Sequence, residues 1–155
     1  MENIKKSGRY SRLYTQLQEL VKKSDDPMAH MATIAAVLKH KVDYFFWCGC
    51  YRLLDNGKLV VGPYQGPVAC QELKKDTGVC WDGINTGKII IVPDVEKYPG
   101  HIACDSRSKS EIVVPVRNQK GDIVAVLDVD SKELNSFDET DGEWLDKIVA
   151  LVFVA

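Results

Sequence analysis

The sequence lacks any apolar run long enough to cross a bilayer, and its first residues, Met1 to Lys6, lack the apolar core of a secretory signal. Internal repeats and low-complexity linkers are also missing. These absences argue against a membrane protein, an exported protein and a chain of several domains. We therefore expect a soluble, cytoplasmic protein with a single domain over residues 1–155.

A large excess of charge of either sign is absent too. The chain has 20 Lys and Arg residues against 22 Asp and Glu residues, so its formal net charge is −2. Its lysine pairs, Lys5-Lys6, Lys22-Lys23 and Lys74-Lys75, are far apart along the chain. Because nothing here attracts a phosphate backbone in bulk, we expect no nucleic-acid partner.

Cysteine occurs five times, an odd number that does not indicate a permanent disulfide framework in a protein expected inside the cell. Its spacing does not favour structural zinc either. Cys48-x-Cys50 is too tight for a chelating pair, and His101-x-x-Cys104 has no matching second pair. We therefore expect thiols that are reduced at rest, with no bound metal and no cofactor.

Helical periodicity is present at both ends of the chain. Apolar residues at helical spacing predict an amphipathic helix from about Gly8 to Lys23. Asp26-Pro27 predicts an N-cap and a first-turn proline. The second helix would share one apolar face, made of Met28, Met31, Ile34, Ala35 and Leu38. An acidic start near residue 138 predicts a closing helix to about residue 153, with Trp144, Leu145, Ile148, Val149 and Val152 on its apolar face.

Strand patterns fill the middle of the chain. Val42 to Leu54 predicts a central strand, and Asn56-Gly57 predicts a hairpin turn into a strand at Lys58 to Tyr64. Further strands are predicted at residues 89–92, 112–116 and 123–130, the last two as an antiparallel hairpin, and a short helix after Pro67. Helices outside a mostly antiparallel sheet at about residues 42–131 indicate the α+β class.

Alternation along the strands places certain side chains together. Trp47 and Tyr51 project from one face of the first strand, and Asp128 and Asp130 from one face of the last. Glu111 begins the neighbouring strand and can complete an acidic cluster, in which at least one carboxyl has a raised pKa and can donate a proton. The alternatives are ordinary core for the aromatic residues and a solvated strand end for the carboxylates.

The cysteines divide by context. Cys48 and Cys50 lie in an aromatic strand and are predicted to be small core residues. Cys70, Cys80 and Cys104 lie in glycine-rich or polar segments, where a thiol can meet solvent and react. A helix beginning after Pro67 would lower the pKa of Cys70, so local physics favours Cys70 as the thiolate. His101 could support Cys104, although a loop histidine is more often simply solvated.

At these residues the chain resembles the free methionine-(R)-sulfoxide reductases, a family built on the GAF fold. The resemblance covers about Tyr14 to Val149. It is carried by Trp47-x-Gly-x-Tyr51, by the segment from Gly62 to Cys70, by Gly78-Val-Cys80, by Pro99 to Asp105, by Ser110 to Pro115 and by Leu127 to Ser131. It implies a six-stranded antiparallel sheet flanked by helices, often assembled as a homodimer. One departure is Trp81, where the family usually carries glycine.

The resemblance also implies roles. Cys104 would attack the sulfoxide sulfur, Cys70 would resolve the product as a disulfide, and Cys80 would be accessory, which inverts the local argument for Cys70. The implied substrate pocket contains Trp47, Tyr51, Glu111, Asp128 and Asp130. The predicted activity is reduction of free L-methionine-(R)-sulfoxide, with thioredoxin or a similar dithiol recycling the disulfide. The alternatives are a non-catalytic GAF sensor of a small molecule or of redox state, and peroxide reduction at Cys104.

Overall fold

The computed structural model describes residues 2–101 and 104–154. The helices are α1 (Glu2–Val21), α2 (Pro27–Lys41), α3 (Gly78–Thr86) and α4 (Glu139–Val149), with a 3-10 helix at Val95–Lys97. The strands are β1 (Trp47–Leu53), β2 (Leu59–Gln65), β3 (Glu72–Leu73), β4 (Ile90–Val92), β5 (Ser110–Arg117) and β6 (Ile123–Ser131). Within this described part, every helix is too short or too polar to cross a bilayer.

The six strands form one sheet in the order β3-β2-β1-β6-β5-β4, and every neighbouring pair is antiparallel. The α+β prediction and the six-stranded antiparallel sheet are therefore confirmed. The central strands β1 and β6 pair directly, with Trp47 opposite Asp130 and Gly49 opposite Asp128. This register places the predicted aromatic and acidic side chains on adjacent strands.

The two faces of the sheet carry separate apolar clusters. On one face, here called the helix face, α1, α2 and α4 pack against the strands, and Leu17, Leu38, Leu127 and Leu145 are fully buried. The opposite face, here called the loop face, is covered by α3 and long loops, and its cluster includes Trp47, Tyr51, Val79, Trp81, Val113 and Val126. Strand alternation sends successive residues of β6 to opposite faces.

Helix α1 begins at Glu2, six residues before the predicted start at Gly8, and it ends at Val21. The early start has a physical cause, since Lys6 is buried against α4. Its Nζ lies 2.7 Å from Asp141 Oδ2, and the Tyr10 hydroxyl donates to Asp141 Oδ1 at 2.6 Å. Lys6 is polar and its sequence neighbours give no helix signal, but its ion pair with Asp141, more than a hundred positions away, holds this segment against α4.

The predicted cap of α2 and the predicted acidic start of α4 are confirmed. Asp26 accepts a hydrogen bond from the Met28 amide, and Pro27 occupies the first turn. Asp138 caps α4 in a reciprocal capping box with Asp141. The predicted apolar face of α2 is wrong at one position, because Met28 is 38% exposed while Met31, Ile34, Ala35 and Leu38 are buried. Helix α4 ends at Val149, four residues before its predicted end at residue 153.

The predicted hairpins are confirmed, with shifted ends. Gly57 has φ +85, the left-handed conformation that the turn after β1 requires. Residues 112–116 and 123–130 fall inside β5 and β6, which pair antiparallel. The strand predicted from Val42 begins only at Trp47, because the Val42 amide still bonds to Leu38 O and ends α2.

The predicted helix after Pro67 is absent, since residues 66–71 form bends and irregular backbone. Its carbonyl groups are used elsewhere: Trp47 Nε1 donates to Pro67 O at 3.0 Å and the Tyr51 hydroxyl donates to Cys70 O at 3.0 Å. The helix of this region is α3, which begins at Gly78. The local argument for a low pKa at Cys70 therefore loses its basis.

Candidate active site

A cavity of about 70 Å³ lies on the loop face, between the sheet, α3 and the loops around residues 66–73 and 98–109. Seven of the eight predicted site residues line it, namely Trp47, Tyr51, Cys80, Cys104, Glu111, Asp128 and Asp130. The eighth, Cys70, is bonded to Cys104. The fold thus brings together residues that are spread over more than eighty positions of the chain.

The aromatic side of the cavity comes from β1. The rings of Trp47 and Tyr51 stack with centroids 5.9 Å apart, and Tyr64 of β2 also stacks with Trp47 at 5.2 Å. A side chain at Gly49 would overlap Tyr64, so glycine is needed for this close approach. Sequence patterns missed Tyr64, although it lies within the motif that carried the resemblance. The indole and hydroxyl groups of Trp47 and Tyr51 also hold the loop that bears Cys70.

The acidic side comes from β5 and β6. Glu111 lies directly opposite Asp130, and Asp128 projects from the same face of β6. Glu111 and Asp128 are only 5% and 6% exposed. Burial raises the pKa of all three carboxyl groups, and the neighbouring negative charges raise the pKa of Glu111 and Asp130 further. The structure thus forms the predicted cluster inside a cavity, which excludes the solvated alternative.

This negative charge has little compensation. Among the residues that the structure describes, no Lys or Arg forms an ion pair with Glu111, Asp128 or Asp130. Asp128 Oδ1 is buried and has no hydrogen-bond partner within that part of the chain. Because an unpaired buried carboxylate is costly, the cluster favours either a bound proton or a bound cation.

Cys70 and Cys104 form a disulfide bond, with their Cα atoms 5.6 Å apart. The bond joins the two loops beside the cavity, and it is the pairing that the family resemblance implies. The structure holds this pair in the oxidised form, whereas reduction at rest stays a prediction. Cys104 is exposed, so an external thiol can reach it, while Cys70 is half-buried.

His101 also lines the cavity, and burial lowers its pKa despite the opposing charge of Asp128. Ile102 and Ala103, in the Cys104 motif, lie outside the described residues.

Cys80 differs from its prediction as a solvent-facing loop thiol, because it lies in the first turn of α3 and is only 5% exposed. Burial raises its pKa, and the charges of Asp128 and Glu111 act in the same direction. These effects outweigh the helix N-terminus, which alone would lower the pKa. The neighbouring Trp81 is buried, and its Nε1 donates to Leu73 O at 3.2 Å. Cys48 and Cys50 are buried on the helix face, as predicted.

Asp105 and Arg107 follow Cys104 in the chain and form an ion pair, here called the clamp, which sequence patterns missed. Arg107 Nη2 lies 2.7 Å from Asp105 Oδ2, and its guanidinium stacks 4.9 Å from the centroid of the Phe46 ring. Hydrogen bonds from Arg107 lower the pKa of Asp105 to about 2. The spacing Asp105-x-Arg107 was the available signal, since an Asp can bond the backbone two residues on.

Comparisons with known proteins agree with this geometry. A family model for the GAF domain matches residues 32–155. GAF domain-containing protein A of Dictyostelium discoideum is 46% identical over 147 residues, which cover 95% of this chain and 92% of that protein. The free methionine-R-sulfoxide reductase of Escherichia coli is 35% identical over 149 residues, with 95% and 88% covered.

A solved structure is similar over the same length. The X-ray structure of free methionine-R-sulfoxide reductase from Neisseria meningitidis in complex with its substrate has a TM-score of 0.90 and 38% sequence identity. The match covers 95% of this chain and 87% of that one. Sequence and structure thus agree over nearly the whole length, and the chain belongs to the free methionine-(R)-sulfoxide reductase family of GAF-domain proteins.

Proposed function

We propose that the protein reduces free L-methionine-(R)-sulfoxide to L-methionine, using Cys104 as the nucleophile and Cys70 as the resolving thiol. The observation that carries this proposal is the Cys70–Cys104 disulfide beside a cavity with one aromatic side and one acidic side. The names of similar proteins support the same reaction. A thiol pair alone fits many redox reactions. The aromatic side and the acidic side of this cavity together suit a sulfoxide that carries an ammonium group.

In the first step the Cys104 thiolate attacks the sulfoxide sulfur, and a cavity carboxyl group protonates the oxygen. The oxygen passes to Cys104 as a sulfenic acid, and methionine leaves with its sulfur reduced. The Cys70 thiol then condenses with the sulfenic acid, which forms the disulfide and releases water. An external dithiol such as thioredoxin reduces the disulfide in the cytoplasm, with Cys104 as the exposed sulfur.

The acidic cluster serves both the proton and the substrate. A carboxyl group with a raised pKa retains its proton near neutral pH, and Glu111, Asp128 and Asp130 all have raised values. A carboxylate of the same cluster that is ionised binds the substrate ammonium, because no Lys or Arg within the described chain neutralises it. A peptide-bound residue has no free ammonium, so we expect specificity for the free amino acid.

The aromatic residues bind the other end of the substrate. Trp47 and Tyr51 present stacked rings to the cavity, and sulfur and methyl groups pack favourably on aromatic faces. In the disulfide form the cavity of about 70 Å³ is less than half of the ~150 Å³ that holds benzene in an engineered protein cavity. The loops bearing Cys70 and Cys104 therefore have to separate after reduction to admit the larger methionine sulfoxide.

The decisive experiment follows methionine formation with the two sulfoxide epimers, free and peptide-bound, in the presence of a dithiol. We expect turnover of the free R epimer only. Cys104→Ser abolishes reduction, whereas Cys70→Ser still forms close to one methionine per chain in a single turnover. Cys48→Ser is the matched control, because Cys48 lies on the helix face. Binding of the sulfoxide without turnover would instead make the protein a sensor.

Two reversed outcomes correct the assignment. If Cys104→Ser retains the single turnover and Cys70→Ser loses it, the two thiols have exchanged roles. If peroxide is consumed while no sulfoxide is, the site is a peroxidase.

We also propose that the protein is a homodimer. The mass of the reduced protein in analytical ultracentrifugation tests this independently of activity.

A further inference from the structure

We propose that the acidic end of the cavity is also a zinc site, in which Cys80, Glu111 and Asp128 coordinate the ion. The sulfur of Cys80 and one oxygen from each carboxyl group all lie within 4.8 Å of one another. Ligands of one tetrahedral zinc ion lie roughly 3.5 Å apart. Small rotations of the three side chains therefore bring them into coordinating positions, and a water molecule completes four-coordination.

A second feature of the site points to a bound cation. Asp128 is 6% exposed, and its Oδ1 has no hydrogen-bond partner in the part of the chain that the structure describes. Asp128 lines a cavity that is also lined by Glu111 and Asp130. A divalent ion neutralises this charge without requiring another protein donor.

The donor set selects the metal. One thiolate and two carboxylates match the ligands of zinc, which accepts Cys sulfur and Asp or Glu oxygen. Magnesium and calcium take oxygen ligands almost exclusively, so a buried thiol disfavours them. When zinc binds, a Zn–S bond replaces the S–H bond of Cys80, and this proton passes to solvent together with any proton held by Glu111 or Asp128, with no change of oxidation state.

The site remains available while Cys70 and Cys104 are joined. The remaining cavity of about 70 Å³ accommodates an ion with its water, although it is small for an amino acid. The thiol-based reaction proposed above requires no metal, so the ion is an inhibitor that occupies the ammonium end of the cavity. The site can be tested without substrate, and its failure is therefore distinct from failure of the reductase proposal.

The experiment uses the disulfide form of the full chain, in which Cys70 and Cys104 cannot ligate. Cobalt(II) replaces zinc as a spectroscopic probe, and a thiolate-to-cobalt absorption band reports a sulfur ligand. Calorimetric titration with zinc gives the stoichiometry and the affinity. We expect one zinc ion per chain, with magnesium showing no binding at concentrations where zinc saturates. Cys80→Ser removes the band and weakens zinc binding by about 100-fold.

Asp130→Asn is the matched control for Asp128→Asn. Both variants remove one carboxylate from the same face of β6 and from the same cavity, but only Asp128 belongs to the three-ligand set. We expect Asp128→Asn to weaken zinc binding by about tenfold or more and Asp130→Asn by less than about threefold. Circular dichroism and retention of the Cys70–Cys104 disulfide show that each variant is folded. If Cys80→Ser does not fold, Glu111→Gln tests the ligand set by its weaker zinc binding, with the thiolate band retained.

Three results would overturn the zinc site. The first is disulfide-form protein that binds no zinc at micromolar concentration. The second is a cobalt complex without the thiolate band, because Cys80 would then not be a ligand. The third is equal weakening by Asp128→Asn and Asp130→Asn, which would mean that the ion responds only to the general charge of the cavity.

Discussion

The two faces of the sheet differ in how completely their buried carboxylates are hydrogen-bonded. On the helix face Asp141 is fully buried, yet it accepts hydrogen bonds from Lys6, Tyr10, Tyr44 and the Asp138 amide. On the loop face Asp128 is almost as deeply buried, but one of its oxygens has no partner in the described chain. Saturated hydrogen bonding stabilises a fold, whereas an unsatisfied buried acid is available to a ligand or a proton.

The cysteines show the same contrast. Cys50 on the helix face is surrounded by apolar side chains, and burial is the main cause that raises its pKa to about 12. Cys80 on the loop face is equally buried, but Asp128 and Glu111 lie beside it and raise its pKa as well. Cys50 is thus a small core residue, while Cys80 belongs to a polar constellation. Burial alone does not distinguish a core cysteine from one beside a polar cavity in this protein.

The largest stability effect is expected from breaking the satisfied site. Asp141→Asn removes the closer anion of buried Lys6 and leaves only the more exposed Asp138 carboxylate, at 3.3 Å, so we expect the free energy of unfolding to fall by about 3 kcal/mol. Urea denaturation of the reduced protein measures the change. A double variant with Lys6→Met is the control, because removing both charges should recover part of the loss. A loss below about 1 kcal/mol would show that this network contributes little.

A large effect on binding is expected on the loop face alone. Because the disulfide form leaves a small cavity, we expect it to bind L-methionine at least about tenfold more weakly than the reduced form, or about 1.4 kcal/mol. Calorimetry with and without reductant measures the ratio. Cys70→Ser is the control, since it cannot form the disulfide and its affinity should not respond to reductant. Equal affinities of the two native forms would contradict loop separation.

Much of the fold could be predicted from local patterns. Asp26-Pro27 and Asn56-Gly57 carry their structural consequences within a few residues, so the α2 start and the β1–β2 turn were predicted correctly. The prediction of a helix after Pro67 is wrong because the carbonyl groups of Pro67 and Cys70 accept hydrogen bonds from Trp47 and Tyr51, about twenty residues earlier in the chain. The predicted start of α1 is wrong for a similar reason, since the first turns are held by the ion pair between Lys6 and the distant Asp141.

The site was predictable where strand alternation decides it. Trp47 with Tyr51, and Asp128 with Asp130, follow from a period of two, and the pairing of β5 with β6 adds Glu111. The Cys70–Cys104 pairing came from the family resemblance, because no local rule joins two loops 34 positions apart. The burial of Cys80 could not be predicted either, since it depends on how α3 packs over the sheet.

A smaller effect of opposite sign is expected at the unsatisfied site. Asp128→Asn removes a buried negative charge beside two others, so we expect a gain of about 1 kcal/mol in the free energy of unfolding. The pKa of Asp128 is raised in the fold, so its ionised form is penalised in the folded state above the unfolded pKa. The gain should therefore grow as the pH rises above the unfolded pKa of about 3.9. Urea denaturation at an acidic and at a neutral pH measures it, and a loss would show that Asp128 is satisfied after all.

The smallest change is expected at the exposed clamp, which repeats the chemistry of the Lys6–Asp141 pair at the surface. Arg107→Ala removes the guanidinium from Asp105, so the pKa of Asp105 should rise from about 2 toward its ordinary value of 3.8. NMR titration of the carboxyl group measures this shift. The free energy of unfolding should stay unchanged within error, because the Arg107 side chain is exposed and remains solvated in both states. Arg107→Lys keeps the charge and loses the two-pronged hydrogen bonding, so an intermediate pKa is expected. A pKa that stays near 2 in Arg107→Ala would assign the shift to the loop backbone instead.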